Sequence, residues 1–396
     1  MKMIKQRRLR IDWHLTYNCN LNCLHCGVVE YRDRDFIEDL YLNNNKSRII
    51  DTLRQQDLDL FINLLENDSK YLFSIHFSPN IGESTTHPDF VNIWNNVSSV
   101  DRVYMLAITT NGMTLYKYLP RMNVEKLRTS IFSLDGDENT HDKIRGNGTF
   151  KKTYRSIQKI DELKQEDSSF YLQINFVINK INAVSLKELP LLLNELNSKN
   201  IVINVIPIDT TFGNARINRK LLEIQISEIA NSINDAYKQL KTINAERIKN
   251  GKSIIKIRLM AFTSKQALQI VSKIQNLSFS DFIIPHKGWK ESCSAYNQKG
   301  IYLDPYGNLF PCESFTIPHV LARFYSTNGY MPIPNIYDGF SSIEEIVHSQ
   351  FFLAAKKWIN ELYDFSICNS CPMKKSCTVC PIYSSIWGVP HDCSAY

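Results

Sequence analysis

Six short apolar runs, each followed by a stretch of helical periodicity, fill the first half of the chain. RIDWHLTY, YLFSIHFS, VYMLAITT, RTSIFSLD, FYLQINFVIN and IVINVIPI read as strands. Between them, DTLRQQDLDLFINLLEN, DFVNIWNNV, TFKKTYRSIQKIDELKQ and SLKELPLLLNELNS return apolar residues every three or four positions and read as helices. Strands separated by helices imply βαβ units and a parallel sheet. Six of them suit a partial barrel of the (β/α) type better than a closed eight-fold one, and in such barrels chemistry sits at the carboxyl ends of the strands.

After Gly213 the character changes. RKLLEIQISEIANSINDAYKQLKTINAERIKN is long, polar and helical, and from about Glu291 the chain becomes turn-rich and cysteine-rich. The expected fold class is α/β: a partial (β/α)6 TIM-type barrel over 1–215, a bridging helical region over 216–290 and a small cysteine-rich domain over 291–396. YRDRDFIEDLYLNNNKS, charged and Asn-rich, reads as a surface loop over the site. With 46 basic and 40 acidic residues the net charge of +6 is too mild and dispersed to argue for a nucleic-acid partner. MKMIKQRRLR is locally basic, but no apolar core follows it, so it is not a secretory signal. Nothing approaches the roughly 20 apolar residues of a membrane span. The expectation is a cytoplasmic protein whose ten cysteines stay reduced and hold metal rather than form disulfides.

Those cysteines are concentrated at the two ends. Cys19, Cys23 and Cys26 lie in LTYNCNLNCLHC just after the first strand, and the other seven follow residue 290. Three closely spaced thiolates can hold three corners of a cubane iron–sulfur cluster and leave the fourth iron open to a small molecule. The alternatives are a zinc site or three unrelated buried cysteines. Structural zinc usually takes four protein ligands, which this stretch does not supply.

The C-x-x-x-C-x-x-C loop resembles the signature of the radical S-adenosylmethionine (SAM) superfamily, and further segments match in order. IGESTTHPDF resembles the loop that binds the SAM amino group, with Gly82 and Glu83 carrying over and Ile81 standing where the family has its first glycine. ITTNG, with Asn111, resembles the third-strand segment, and SLDGDENTHDKIRGNGTF the fourth. The resemblance implies that Ser133 contacts the ribose and Arg145 the SAM carboxylate, with Asp135 also among the cofactor-binding residues. INVIPIDTTFGNA resembles the sixth-strand segment beside the adenine. The residue before the third cysteine is usually aromatic; here it is His25, which is planar and can do the same stacking.

The carboxyl-terminal cysteines resemble the SPASM domain, which binds auxiliary clusters in peptide- and protein-modifying members. Cys293 is followed by thirteen residues, Gly307, four residues and Cys312; then come Cys368, Cys371, Cys377, Cys380 and Cys393. The chain departs from the family in having two residues rather than three between Cys377 and Cys380. Read alone, the C-x-x-C pairs also fit a zinc ribbon. By the resemblance, Cys368, Cys371, Cys377 and Cys393 fully ligate one cluster, while Cys293, Cys312 and Cys380 hold another with an open corner. That makes three [4Fe–4S] clusters with SAM as the cofactor set.

What the resemblance implies is an oxidoreductase that cleaves SAM to a 5′-deoxyadenosyl radical and modifies a peptide or protein side chain by crosslinking, oxidation or epimerisation, as in the maturation of ribosomally made peptides. Glu313, directly after Cys312, stands where a sulfatase-maturing member has a catalytic carboxylate and is the candidate base. Formylglycine formation of the sulfatase-maturing kind and dehydrogenation of a small molecule are alternatives, as is a non-catalytic iron–sulfur or zinc carrier. The expected partners are a peptide or protein substrate and a reductant such as a flavodoxin or ferredoxin. Only about ten residues precede the first strand, below domain size. A separate leader-binding protein, or a barrel that binds its substrate unaided, is therefore expected.

Overall fold

A computed structural model describes residues 6–29, 55–78, 81–262, 264–284, 293–364, 380 and 382. All six runs are strands: β1 (Arg7–Trp13), β2 (Tyr71–Phe77), β3 (Val103–Thr110), β4 (Leu127–Ser133), β5 (Tyr171–Ile178) and β6 (Ile201–Pro207). They pair in parallel in chain order, as successive right-handed crossovers require. The sheet does not stop there. β7 (Ile255–Leu259) and β8 (Phe282–Ile283) continue it in parallel, inside the region read from sequence as helical. On the other side of β1 lie β9 (Gly300–Leu303), parallel to it, and β10 (Leu309–Phe310), antiparallel to β9. The cysteine-rich segment therefore enters the same ten-stranded sheet.

Each strand puts alternate residues on opposite faces. In β1 the outward set is Leu9, Ile11 and Trp13, all buried beneath helices. The ring of Trp13 meets Phe61 of the helix Gln55–Asn67 at 4.8 Å, and Phe77 meets Trp94 of the helix Phe90–Ser99 at 5.2 Å. The helices Thr149–Lys164 and Ile226–Lys249 cover the sheet further along, the second opened by a capping box between Gln225 and Glu228. The other face is polar. Arg10, Asp12, His76 and Thr109 form one hydrogen-bonded group on β1 to β3, and Gln173, Asn175, Asn204 and Arg258 another on β5 to β7. A concave face so lined is suited to receiving a substrate. No helix among the described residues is long and apolar enough to cross a membrane. SLKELPLLLNELNS, read as one helix, is a 3-10 run (Ala183–Glu188) followed by one short helix (Leu189–Leu193), where Pro190 removes a backbone donor.

The hairpin between β9 and β10 explains one spacing in the cysteine pattern. Asp304 Oδ1 accepts from the amides of Tyr306 and Asn308, and Gly307 closes the turn at φ +82°. A side chain there would meet Ile336 at 2.8 Å. This turn folds Cys312 back beside Cys293. An aromatic cluster of Phe315, Phe324, Phe351 and Trp358 backs it, with ring centroids 5.3–5.9 Å apart.

Candidate active site

The first cysteine loop leaves β1 and is held mainly through its backbone. His14 is buried, with Nε2 at 2.9 Å from the Thr16 carbonyl; burial, opposed only by backbone hydrogen bonds, pulls its pKa down to about 4. Leu24 N donates to the Ile144 carbonyl. The segment after β6 grips the loop from the far side. Asn214 donates from its amide nitrogen to Cys26 O and from Nδ2 to Cys23 O (3.0 Å) and Asn22 Oδ1 (2.8 Å). Asn218 Nδ2 reaches Leu24 O at 3.1 Å. Gly213 sits so near that a Cβ would lie 2.6 Å from Cys26 O. Asn214 and Asn218 were not singled out from the sequence. Their i,i+4 spacing in FGNARIN, on one side of a helical turn, was the available signal.

The thiols of Cys19, Cys23 and Cys26 open into a recess of ≈ 140 Å³ that is also lined by His25, Gly82, Glu83, Asn111, Ser133 and Arg145. Nine residues named from sequence thus converge, at the carboxyl ends of β1 to β4. Asp135 does not line it. It lies fully buried behind Arg145, whose Nε donates to its Oδ2 at 2.5 Å. Arg145 Nη2 lies 3.3 Å from His25 Nε2 and Nη1 lies 3.9 Å from Cys23 Sγ. Arginine has no acceptor, so His25 Nε2 must accept and the His25 proton sits on Nδ1. Burial first, with Arg145 opposing Asp135, takes the His25 pKa down to about 4. His141 accepts at Nδ1 from the Asp135 amide and is likewise lowered to about 4, chiefly by burial. The buried group therefore holds one anion, one cation and two neutral imidazoles.

Burial alone would raise the Asp135 carboxyl, but Arg145, His25 and His141 bring it below the usual carboxylate range. Its stabilising effect is complete above the unfolded value, about 3.9, and is lost as pH falls through the lower folded value. Replacing Arg145 by Met leaves that charge buried and unpaired, which costs about 3–5 kcal/mol. Urea melts of the metal-free chain at neutral pH check this. Adding Asp135→Asn to Arg145→Met restores more than half of the loss.

Glu83 is buried and its carboxylate is met by protein donors. Oε1 accepts from Thr85 Oγ1 and Thr110 Oγ1, both at 2.7 Å, and Oε2 from the Asn111 amide at 2.7 Å. Its own amide donates to Asn18 O at 2.8 Å. Glu83 therefore joins the loops after β2 and β3 to the cysteine loop. Gly82, at φ +95°, lies against the same loop, and Ile81 packs on Tyr17. Asn111 Nδ2 donates to Asn20 Oδ1 at 2.8 Å and lies 3.9 Å from Cys19 Sγ.

The donor set fits an iron–sulfur cluster. None of the three cysteines is in a disulfide among the described residues, and two have an N–H group directed at the sulfur. Burial above all pushes Cys23 up to about 11, so this sulfur becomes a thiolate when a metal supplies the charge. His25 Nδ1 is buried on the recess with no hydrogen-bond partner among the described residues, a donor awaiting an acceptor. Residues 13–188 match the model of the radical SAM superfamily. This part of the chain belongs to that superfamily.

Members are enzymes that use a [4Fe–4S] cluster and SAM. The AdoMet-dependent heme synthase of Methanosarcina barkeri is 29% identical over 179 residues, which is 43% of this chain and 43% of that protein. The molybdenum cofactor biosynthesis protein moc-5 of Caenorhabditis elegans is 27% identical over 165 residues, 40% of this chain and 24% of the relative. The matched parts are thus under half the length of these curated relatives. Among solved structures, Streptococcus suis SuiB (TM-score 0.54, 15% identity) covers 95% of this chain and 72% of its own. AnSMEcpe with bound AdoMet (TM-score 0.56, 15% identity) covers 94% and 88%. Both share the fold.

Beyond the radical SAM domain, three of the seven later cysteines are described and are near enough to influence one another electrostatically. Cys312 is under the electrostatic influence of both Cys380 and Cys293, and burial first, then these neighbours, drive its thiol far up. Burial first, then Cys293 and Glu313, pushes Cys380 up to about 12. Tyr296 N donates to Cys293 Sγ at 3.4 Å. Cys368, Cys371, Cys377 and Cys393 lie outside the described residues. Glu313 is solvent-accessible just after β10, and desolvation first, then Asp12, raises its carboxyl while Arg10 opposes. Tyr302, opposite Asp12 in register and under the electrostatic influence of Glu313, has a buried hydroxyl with no hydrogen-bond partner among the described residues.

Proposed function

We propose that the chain is a radical SAM enzyme that modifies a side chain of a peptide or protein substrate, with Cys293, Cys312 and Cys380 among the ligands of an auxiliary cluster. The observation that carries this reading is that Cys312, just after β10, is within electrostatic reach of Cys293, Cys380 and Glu313. An accessible carboxylate thereby stands between these thiols and Asp12 and Arg10 on the polar face of the sheet. When bound, the first cluster and SAM supply a radical that takes a hydrogen atom from an unactivated carbon, and the auxiliary cluster supplies an electron acceptor.

The protein does the rest. Cys19, Cys23 and Cys26 would hold the first cluster. Asn111 and Arg145 direct N–H groups at Cys19 Sγ and Cys23 Sγ, which would tune the potential of a cluster held there. Ser133 and His25 line the space for SAM. Glu313 takes the proton that an oxidised substrate must lose, and its raised pKa brings it nearer to neutral operation. The likeness to SuiB and anSMEcpe along almost the whole chain supports the same architecture. Dehydrogenation of a small molecule is a second reading, favoured by the relatives in heme and molybdenum cofactor synthesis.

Anaerobic reconstitution tests the reading. Three cubanes bring about twelve irons per chain, and only about four bind without the auxiliary sites. Co-expression with a short neighbouring open reading frame, read by mass spectrometry, identifies the product. Glu313→Gln is expected to lower formation of an oxidised product by about 10²–10⁴-fold while 5′-deoxyadenosine release stays within about twofold. Unchanged product formation would exclude Glu313 as the base.

A further inference from the structure

The second polar group on the concave face has no role in the reading above. Arg258 is half-buried on β7, and among the described residues no aspartate or glutamate pairs with it. Its contacts are two neutral amides: Nη1 donates to Gln173 Oε1 at 3.3 Å and to Asn204 Oδ1 at 3.4 Å. Arginine only donates, so both oxygens must face it. Asn204, buried, then turns Nδ2 to Gln173 Oε1 (3.0 Å) and Asn175 Oδ1 (2.9 Å). Every amide oxygen of the group is thereby used within it. Among the described residues, what remains without a partner are donors: the NH₂ groups of Gln173 and Asn175 and the rest of the guanidinium. A half-buried cation among spare donors is an incomplete arrangement, since buried charges are normally paired.

The register locates the group. Ser133, Asn175, Asn204 and Arg258 are successive Cα partners across β4, β5, β6 and β7. They form one row, and Ser133 at its end lines the cysteine recess. At the usual interstrand spacing Arg258 stands about 14 Å along that row from Ser133. A molecule reaching from the recess across the face arrives at Arg258.

We propose that Arg258, with the amides of Gln173 and Asn175, is a binding subsite for a carboxylate of the substrate. A carboxylate offers acceptors only, in the planar form that a guanidinium fork pairs with twice. The proposal rests on the reading that a peptide substrate lies in the barrel. It is tested by peptide binding, which does not depend on turnover, whereas 5′-deoxyadenosine release by the wild type tests the reaction. Either can fail without the other.

The probes are acetyl-Ala-Ala-Glu-amide, its neutral isostere acetyl-Ala-Ala-Gln-amide, and acetyl-Ala-Ala-Ala with a free carboxyl end. Each is titrated against immobilised, reconstituted full-length protein with SAM present, by surface plasmon resonance. The wild type is expected to bind one of the acidic peptides at least about tenfold more tightly than the neutral one. Which acidic peptide it prefers distinguishes a side-chain from a chain-end carboxylate. Arg258→Gln is expected to erase the preference and Arg258→Lys to keep part of it. Should Arg258→Gln fail to fold, Gln173→Leu and Asn175→Leu, which remove spare donors but leave the cation, are expected to weaken the preference. Equal binding of acidic and neutral peptides by the wild type overturns the proposal, as does a preference that survives Arg258→Gln. Loss of SAM binding in Arg258→Gln with the peptide preference intact overturns it too, by assigning the subsite to SAM.

Discussion

Alanine at Cys19, Cys23 and Cys26 together abolishes release of 5′-deoxyadenosine from SAM and lowers bound iron by about four atoms per chain. The expectation rests on how the loop is built. Its course is set by backbone contacts: Asn214 to Cys23 O and Cys26 O, Asn218 to Leu24 O, and Glu83 N to Asn18 O. None of these uses a sulfur, so the triple variant keeps its loop while losing its metal ligands. Melting of the metal-free triple variant should therefore stay close to that of the metal-free wild type, and binding of iron at the later cysteines should persist. This separates a lost ligand set from a lost fold. Release of 5′-deoxyadenosine at the wild-type rate would remove the basis of the whole functional reading. A third of the rate in single variants would not, because two thiolates and a solvent ligand retain some metal.

The six strands β1 to β6 could be read in advance because each is an apolar run bounded by turn residues. β7 was missed although IKIRL alternates with the period of a half-buried strand, turning Lys256 and Arg258 away from the buried side. It follows a 24-residue helix whose polar surface dominates that region. β8 and β10 have two residues each, too few for any periodicity. The cysteines were legible because their chemistry and spacing are distinctive on their own. The recess residues Gly82, Asn111, Ser133 and Arg145 were legible only through a family likeness, since a lone Ser or Asn at a strand end carries no signal. What holds them was not legible. Asn214 reaches Cys23 O across a separation of 191 residues, and its partner is a carbonyl that every residue has. Asp135, read from the sequence as a cofactor-binding residue, does not line the recess and lies buried behind Arg145. A sequence shows that an aspartate is near an arginine, not which of the two faces the cavity.

Gly82→Ala is expected to damage the first site through the backbone alone. At φ +95° an L side chain is already strained, and the new Cβ would lie 2.3 Å from Thr16 O and 2.8 Å from Asn18 O. Both neighbours are backbone atoms of the cysteine loop, so no side chain can swing aside and the loop itself must move. Backbone strain and displacement together cost roughly 2–4 kcal/mol. Gly148→Ala is the matched comparison: its φ is +74°, but nothing lies within 4 Å of the added methyl. It should lose only about 1 kcal/mol, the backbone share. The two variants also differ in kind. Moving Asn18 strains the hydrogen bond from Glu83 N, through which the loops after β2 and β3 are tied to the cysteines. Gly82→Ala should therefore shed iron from the first site on desalting, whereas Gly148→Ala should retain it. Denaturant melts of the metal-free proteins and iron counts after reconstitution measure both effects. Equal iron retention in the two variants would mean that Gly82 serves the fold alone and that the cysteine loop keeps its shape without it.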